Sequence, residues 1–273
     1  MLAAVFSYSH QSGKLMLPRI AQLTFGVCLA LSIASSSSSS ANAQDAAKDA
    51  APLKVLLITG GCCHDYPFQA EALAKAAIDR GLKIEWKVVN EGGSGTDAEI
   101  DLYKNEKWAE GYDVVVHNEC FANTKNADYI RRITKAHYDG ANAVVIHCAM
   151  HTYRAAEVDD WRQMLGVTSR KHDHKSNYLV KNVKSEHAIM KDFPKEWTTP
   201  SDELYIIEKV WPDTEVLATS ISEKTGDLHP VIWTHQYGKA RVFGTTFGHA
   251  NETFEDKVFL DVVINGVKWA AGK

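Results

Sequence analysis

The stretch GGCCHD, residues 60–65, sets two glycines, two adjacent cysteines, a histidine and an aspartate between an apolar run and a helix-like segment. Backbone amides at a helix start bind anions, but the Lys-Ser/Thr ending of a P-loop is missing and so is GxGxxG, which argues against a nucleotide. A Cys62–Cys63 disulfide is disfavoured, because adjacent Cα atoms lie closer than a disulfide prefers. The two cysteines are expected to be small packing residues beside a glycine turn, leaving His64 and Asp65 to face a ligand.

A second group is VVIHCAMH, residues 144–151. Cys148 after a buried strand could be a nucleophile, with its thiolate favoured by a following helix start. A tight nucleophile elbow wants small residues two before and two after, and here these are Ile146 and Met150, so a buried structural thiol is the default. His147 and His151 are four apart and share a face if the segment is helical. Together with His64, His117, His172, His174 and His249 they could supply a three-histidine or histidine-carboxylate site with an open position for a divalent transition metal. Each histidine taken singly is an ordinary hydrogen-bonding residue, and no short motif such as HExxH selects among them. Metal ligation by His64, His147, His151 and His249 is thus one reading; proton transfer by His64, Asp65, His147 and His249 is the other. Tyr66, Glu119, Asp202 and Glu203 are candidates for stacking on a sugar ring and binding its hydroxyls. His137 is expected on a helix surface.

The elements that must position these residues alternate. KVLLITG reads as a buried strand, FQAEALAKAAIDRG as a helix with a glycine stop, KIEWKVV and YDVVVHN as strands, KNADYIRRITKAHYDG as a helix and NAVVIHC as a fourth strand. Such alternation predicts an α/β fold, an open, mostly parallel sheet with helices on both faces, of the flavodoxin-like kind. Ligands bind such sheets outside the carboxyl ends of the strands, where three predicted strands deliver histidine and cysteine. The second half adds strands at NYLVKNV, ELYIIEKV, TEVLATS, HPVIWTH and ARVFGTT, with RKHDHK read as a polar loop and EDKVFLDVVINGVKWAAG as a terminal helix.

Several stretches together resemble the ThuA-like family, named for trehalose utilisation: LLITGGCCHDY, VVIHCAMHTYR, EHAIMKDFP followed by SDELY, and HPVIWTHQYGKARVFGTTFGHANETF with INGVKWAAG. The resemblance spans nearly all of residues 53–272. It implies a class I glutamine amidotransferase-like fold and a link to the catabolism of disaccharides or their oxidised keto forms. The amidotransferase chemistry does not carry over, because Cys148 lacks flanking glycines and Glu252 falls three residues after His249 rather than at the spacing of that superfamily.

Residues 1–43 read as a secretory signal peptide: Lys14 and Arg19 precede the apolar run IAQLTFGVCLALSIA, and Ala41-Asn42-Ala43 is a cleavage pattern. Residues 44–52 form a polar lead-in, and residues 53–273 are the ThuA-like domain. Without the leader the formal charge of −4 becomes −6, which does not suit a nucleic-acid partner. The expectation is a periplasmic or secreted protein of carbohydrate catabolism with no membrane span, acting on a sugar or keto-sugar glycoside. The alternatives are a non-catalytic sugar-binding accessory module and a thiol hydrolase using Cys148.

Overall fold

The computed structural model describes residues 51–273, so the leader and most of the lead-in lie outside the described residues. Strand β1 (Leu53–Gly61) is buried at every position except Lys54, as befits an interior parallel strand. It pairs in parallel with β2 (Ile84–Asn90) on one side and β3 (Val114–Cys120) on the other. Next to β3 lie β4 (Ala143–Ile146) and then β11 (Ala240–Thr245), both also parallel. Beyond β11 the direction alternates through β10 (Leu228–Tyr237), β9 (Thr214–Ile221), β6 (Leu179–Asn182) and β7 (Glu196–Thr198), completing nine strands in the order β2-β1-β3-β4-β11-β10-β9-β6-β7. The doubly wound parallel half expected from the alternation is present, and the strands of the second half extend it.

Side-chain alternation along these strands makes two cores. Val55, Leu57, Val116 and Ile146 face helices α1 (Tyr66–Asp79) and α4 (Lys257–Ala270), meeting Leu73, Phe259 and Val263. Leu56, Ile58, Val115 and Val145 face the other way, toward Tyr129, Ile130 and Ile133 of α2 (Ala127–Asp139) and Trp161 of α3 (Asp160–Leu165). His137, expected on the surface of α2, is instead completely buried there. Its Nε2 lies 2.9 Å from Nε2 of His117, and its Nδ1–H donates to the carbonyl of Ala141.

RKHDHK is not a loop. It lies within β5 (Val167–Ser176), which pairs antiparallel with β8 (Asp202–Val210) in a separate two-stranded sheet. Bulges interrupt this pairing between Thr168 and Lys175, and such irregularity hides the period-two pattern from a sequence reading. No described helix is long and apolar enough to cross a membrane.

The glycines of GGCCHD have a steric reason. A Cβ on Gly60 would lie 2.0 Å from the carbonyl oxygen of Glu91, and one on Gly61 would lie 2.2 Å from that of Cys120. Both also have left-handed φ, so only glycine lets the end of β1 press against the chain leaving β2 and against the end of β3.

Candidate functional site

At the carboxyl ends of the parallel strands, β1 delivers His64, β4 delivers His147 and β11 delivers His249 through the loop that follows it. Ligand nitrogens from these three rings all lie within 4.8 Å of one another, and the ring centroids are 5.0 to 5.3 Å apart. His147 sits immediately after β4 at φ 45°, a left-handed conformation rare for a non-glycine residue. The turn after β4 is therefore made by His147, one residue before Cys148. Strain of this kind marks a position that its surroundings over-determine.

Hydrogen bonding fixes what the rings present. His147 Nδ1–H donates to the carbonyl of Thr246 at 2.7 Å, and His64 Nδ1–H donates to the carbonyl of His249 at 3.1 Å. A carbonyl can only accept, so both rings turn an Nε2 lone pair inward. His64 Nε2 is buried without any hydrogen-bond partner, and His249 Nδ1 is buried facing the Glu203 carboxylate. Burial, reinforced by neighbouring histidines, holds His147 well below its ordinary pKa. Burial likewise lowers His64 to about 4. His64 and His147 are thus neutral at pH 7 and offer lone pairs.

The two-stranded sheet supplies the opposite wall. Glu203 Oε2 lies 3.4 Å from His249 Nδ1, 3.7 Å from His147 Nε2 and 3.5 Å from His172 Nδ1. Burial raises the Glu203 pKa, but its contacts with the neighbouring imidazoles, that of His249 first, outweigh that and leave it below the usual value. Tyr205 Oη is 3.2 Å from His147 Nε2, and its ring stacks on His151 at 3.8 Å. Burial first, then nearby Glu203 and Asp202, push its hydroxyl far above its ordinary pKa, so it stays protonated. These groups and the four cysteines line a cavity of about 190 Å³, with Arg154 and His172 also on its wall. A larger groove of about 740 Å³ runs between α1 and α4. Lys75 pairs there with Asp79 and Arg80 with Asp261, and no histidine lines it, so its size does not make it the chemical site.

The other candidates are engaged elsewhere or support the triad from outside it. Asp65 is exposed and caps α1, accepting from the amide of Phe68. Tyr66 donates to the carbonyl of Cys62 and so holds the first loop. Glu119 is fully buried on the α2 side, 2.8 Å from His117 Nδ1 and 3.3 Å from Tyr103 Oη. Asp202 is buried and accepts from the amides of Gly248 and His249 and from the Thr253 hydroxyl, so it braces the loop that carries His249. His151 is near the triad, but its Nε2 is engaged with Ser169 Oγ at 3.0 Å. Cys148 is bonded to Cys120, and Cys62 is bonded to Cys63. The first bond removes the free thiol that a Cys148 nucleophile needs; the second corrects the expectation that adjacent cysteines stay apart.

Burial of so many neutral histidines has a pH consequence. Besides His64, burial lowers His137 to about 3 and His151 to about 2. Unfolded, each takes a proton near 6.5, so the unfolded chain binds more protons below that pH and stability falls as the pH drops from 6.5 toward 4. Asp202 works in the opposite sense, since burial raises it to about 6 and its ionisation costs stability as pH rises through that value. One carboxylate is outweighed by several rings. The metal-free full chain is expected to lose at least about 3 kcal/mol of unfolding free energy between pH 7 and pH 4.5. Denaturant unfolding at the two pH values measures this, and equal stabilities would contradict it.

The family model described as ThuA, trehalose utilisation, matches residues 54–270. A thua-like protein from Parabacteroides merdae has a similar structure, with a TM-score of 0.65 and 22% identity over 82% of this chain and 91% of that one. Another from Bacteroides uniformis gives a TM-score of 0.62 and 17% identity over 81% of this chain and 92% of that one. A protein from Thermoplasma acidophilum described as part of a GMP synthase gives 0.52 and 16% over 82% and 96% of the respective chains, which places the fold among amidotransferase-like sheets. No curated protein sequence matches this chain significantly.

Proposed function

Since the chain belongs to the ThuA family, with its carbohydrate-associated, trehalose-utilisation role, we propose that it is an exported enzyme acting on a sugar or keto-sugar glycoside at the His64, His147 and His249 site. In this reading the three histidines hold a divalent transition metal and Glu203 is the acid/base group. One observation carries it: nitrogens of three imidazoles converge, that of His64 with no hydrogen-bond partner, while the His64 and His147 rings are neutral and tied from behind to backbone carbonyls. Metal-ligating histidines show this same arrangement, which sets tautomer and ring orientation. Three histidines leave a coordination position open. When bound, such an ion supplies Lewis-acid polarisation of a sugar hydroxyl or carbonyl oxygen.

The residues of the chain supply the rest. Glu203, held as an anion, takes a proton from a hydroxyl, or from the carbon beside the carbonyl of a keto-sugar. Tyr205, held protonated, donates to an oxygen of the substrate once displaced from His147. Arg154 and His172 at the cavity wall offer hydrogen bonds to ring hydroxyls. The two disulfides suit an oxidising compartment and so support export. They also argue against a thiol hydrolase and against glutamine hydrolysis.

The test is turnover of trehalose, simple glucosides and their keto counterparts by the full chain, metal-free and after addition of one equivalent of zinc or manganese. Product formation only in the loaded protein supports the proposal. Absence of product, together with sugar binding by calorimetry that survives His64→Ala and His249→Ala, overturns it in favour of an accessory binding module.

A further inference from the structure

All four cysteines of the described chain gather at one point, although they come from three strand ends. Cys62 Sγ lies 3.7 Å from Cys120 Sγ across the contact between the two disulfides. The close approach is built in: glycine at 61 lets the turn after β1 touch the backbone of Cys120. Stability does not explain the Cys62–Cys63 bond. Cross-links stabilise by closing loops in the unfolded chain, and a bond between neighbours closes essentially none. Cys63 is moreover exposed, whereas Cys120 and Cys148 are buried. Reducible and functional disulfides are found among exposed ones.

From this cluster we propose a second metal site, formed by the thiolates of Cys62, Cys63, Cys120 and Cys148 when the two disulfides are reduced, for a thiophilic cation such as zinc. Thiolates about 2.3 Å from a tetrahedrally bound zinc stand roughly 3.8 Å apart, close to the separation already present across the cluster. Candidate ligand atoms of Cys62, Cys63 and Cys120 lie within 4.8 Å of one another, as do those of His64, Cys120 and Cys148, so the sulfur site adjoins the histidine triad through His64. The redox balance is simple. Two small-molecule or protein dithiols each give two electrons and two protons, becoming disulfides, and the four cysteines become thiols. Metal binding then releases the thiol protons to solvent. Exchange with two small-molecule or protein disulfides, which take up the four electrons and become dithiols, restores the two disulfides, removes the ligands and ejects the ion. The site is thereby gated by redox state, and it does not depend on the triad being a metal centre.

Cobalt(II) is the probe, because thiolate ligation gives a sulfur-to-cobalt charge-transfer band in the near ultraviolet that imidazole and carboxylate ligation do not. The full chain is titrated anaerobically, oxidised and after reduction by a phosphine, with near-ultraviolet circular dichroism to report its packing. One further equivalent of cobalt bound on reduction is expected, with the charge-transfer band, and its displacement by zinc. Cys62→Ser with Cys120→Ser should abolish the band, while His249→Ala should leave it. A reduced, folded chain with no extra equivalent or no band overturns the proposal. So does a band that survives the double serine change, and so does loss of the folded signal on reduction, since the thiols would no longer converge. Failure of the triad as a metal centre would instead appear as no cobalt bound by the oxidised chain, leaving the thiolate band in place.

Discussion

Replacing His147 and His249 together with alanine is expected to lower the metal affinity of the oxidised chain by more than about 100-fold, because losing a partner one shell outside a metal already costs roughly 10- to 100-fold. Turnover of a confirmed glycoside substrate should fall with it. Both changes leave the sheet intact: His147 lies beyond the end of β4, and His249 lies beyond β11 in a loop braced by Asp202. Calorimetric titration with zinc measures the affinity, and near-ultraviolet circular dichroism checks the fold. Unchanged zinc binding by a folded double variant would remove the triad from any metal role.

The second large effect is at Glu203. Glutamine there keeps the size of the side chain and its reach toward His249 but cannot take a proton. General acid/base groups contribute about 10² to 10⁴ in rate, so Glu203→Gln is expected to lower kcat within that range. Zinc affinity should change only a few-fold, since the three imidazoles stay in place. A kcat within threefold of the parent would show that Glu203 is not the proton acceptor. Loss of zinc in parallel with kcat would instead make Glu203 a ligand, which its 3.4 Å approach to His249 makes a meaningful alternative outcome.

Which parts of this arrangement the sequence discloses follows from periodicity. The parallel half is legible because β1, β3 and β4 are short apolar runs ending at polar clusters, and the strand-end rule points to His64, His147 and His151 but equally to His117 and Glu119, while His249 follows β11 and is not singled out by it. The same rule does not say which way a side chain turns. His117 and Glu119 are two apart on β3 and so share one face, the α2 side, where they pair with each other and with His137. Asn118 between them points the other way, donating to Gln69. Alternation along β3 is the available signal that Glu119 does not accompany the strand-end histidines. Nothing local indicates that β8 would fold across the opening, because its partner β5 carries RKHDHK, whose charges and bulges look like a loop. Tyr205 and His172 reach the cavity by that tertiary pairing. The pairing of Cys120 with Cys148 is equally non-local, since it depends on β3 and β4 being neighbours in the sheet.

Whether the three histidines form a metal centre is decided by X-ray absorption spectroscopy at the zinc edge, on the oxidised full chain purified without chelator or histidine tag and loaded with one equivalent of zinc. Tight retention of that equivalent is expected, in a shell of imidazole nitrogens at about 2.0 to 2.1 Å with no sulfur. Failure to retain zinc, or a shell containing sulfur at about 2.3 Å in the oxidised protein, would refute a histidine-held metal.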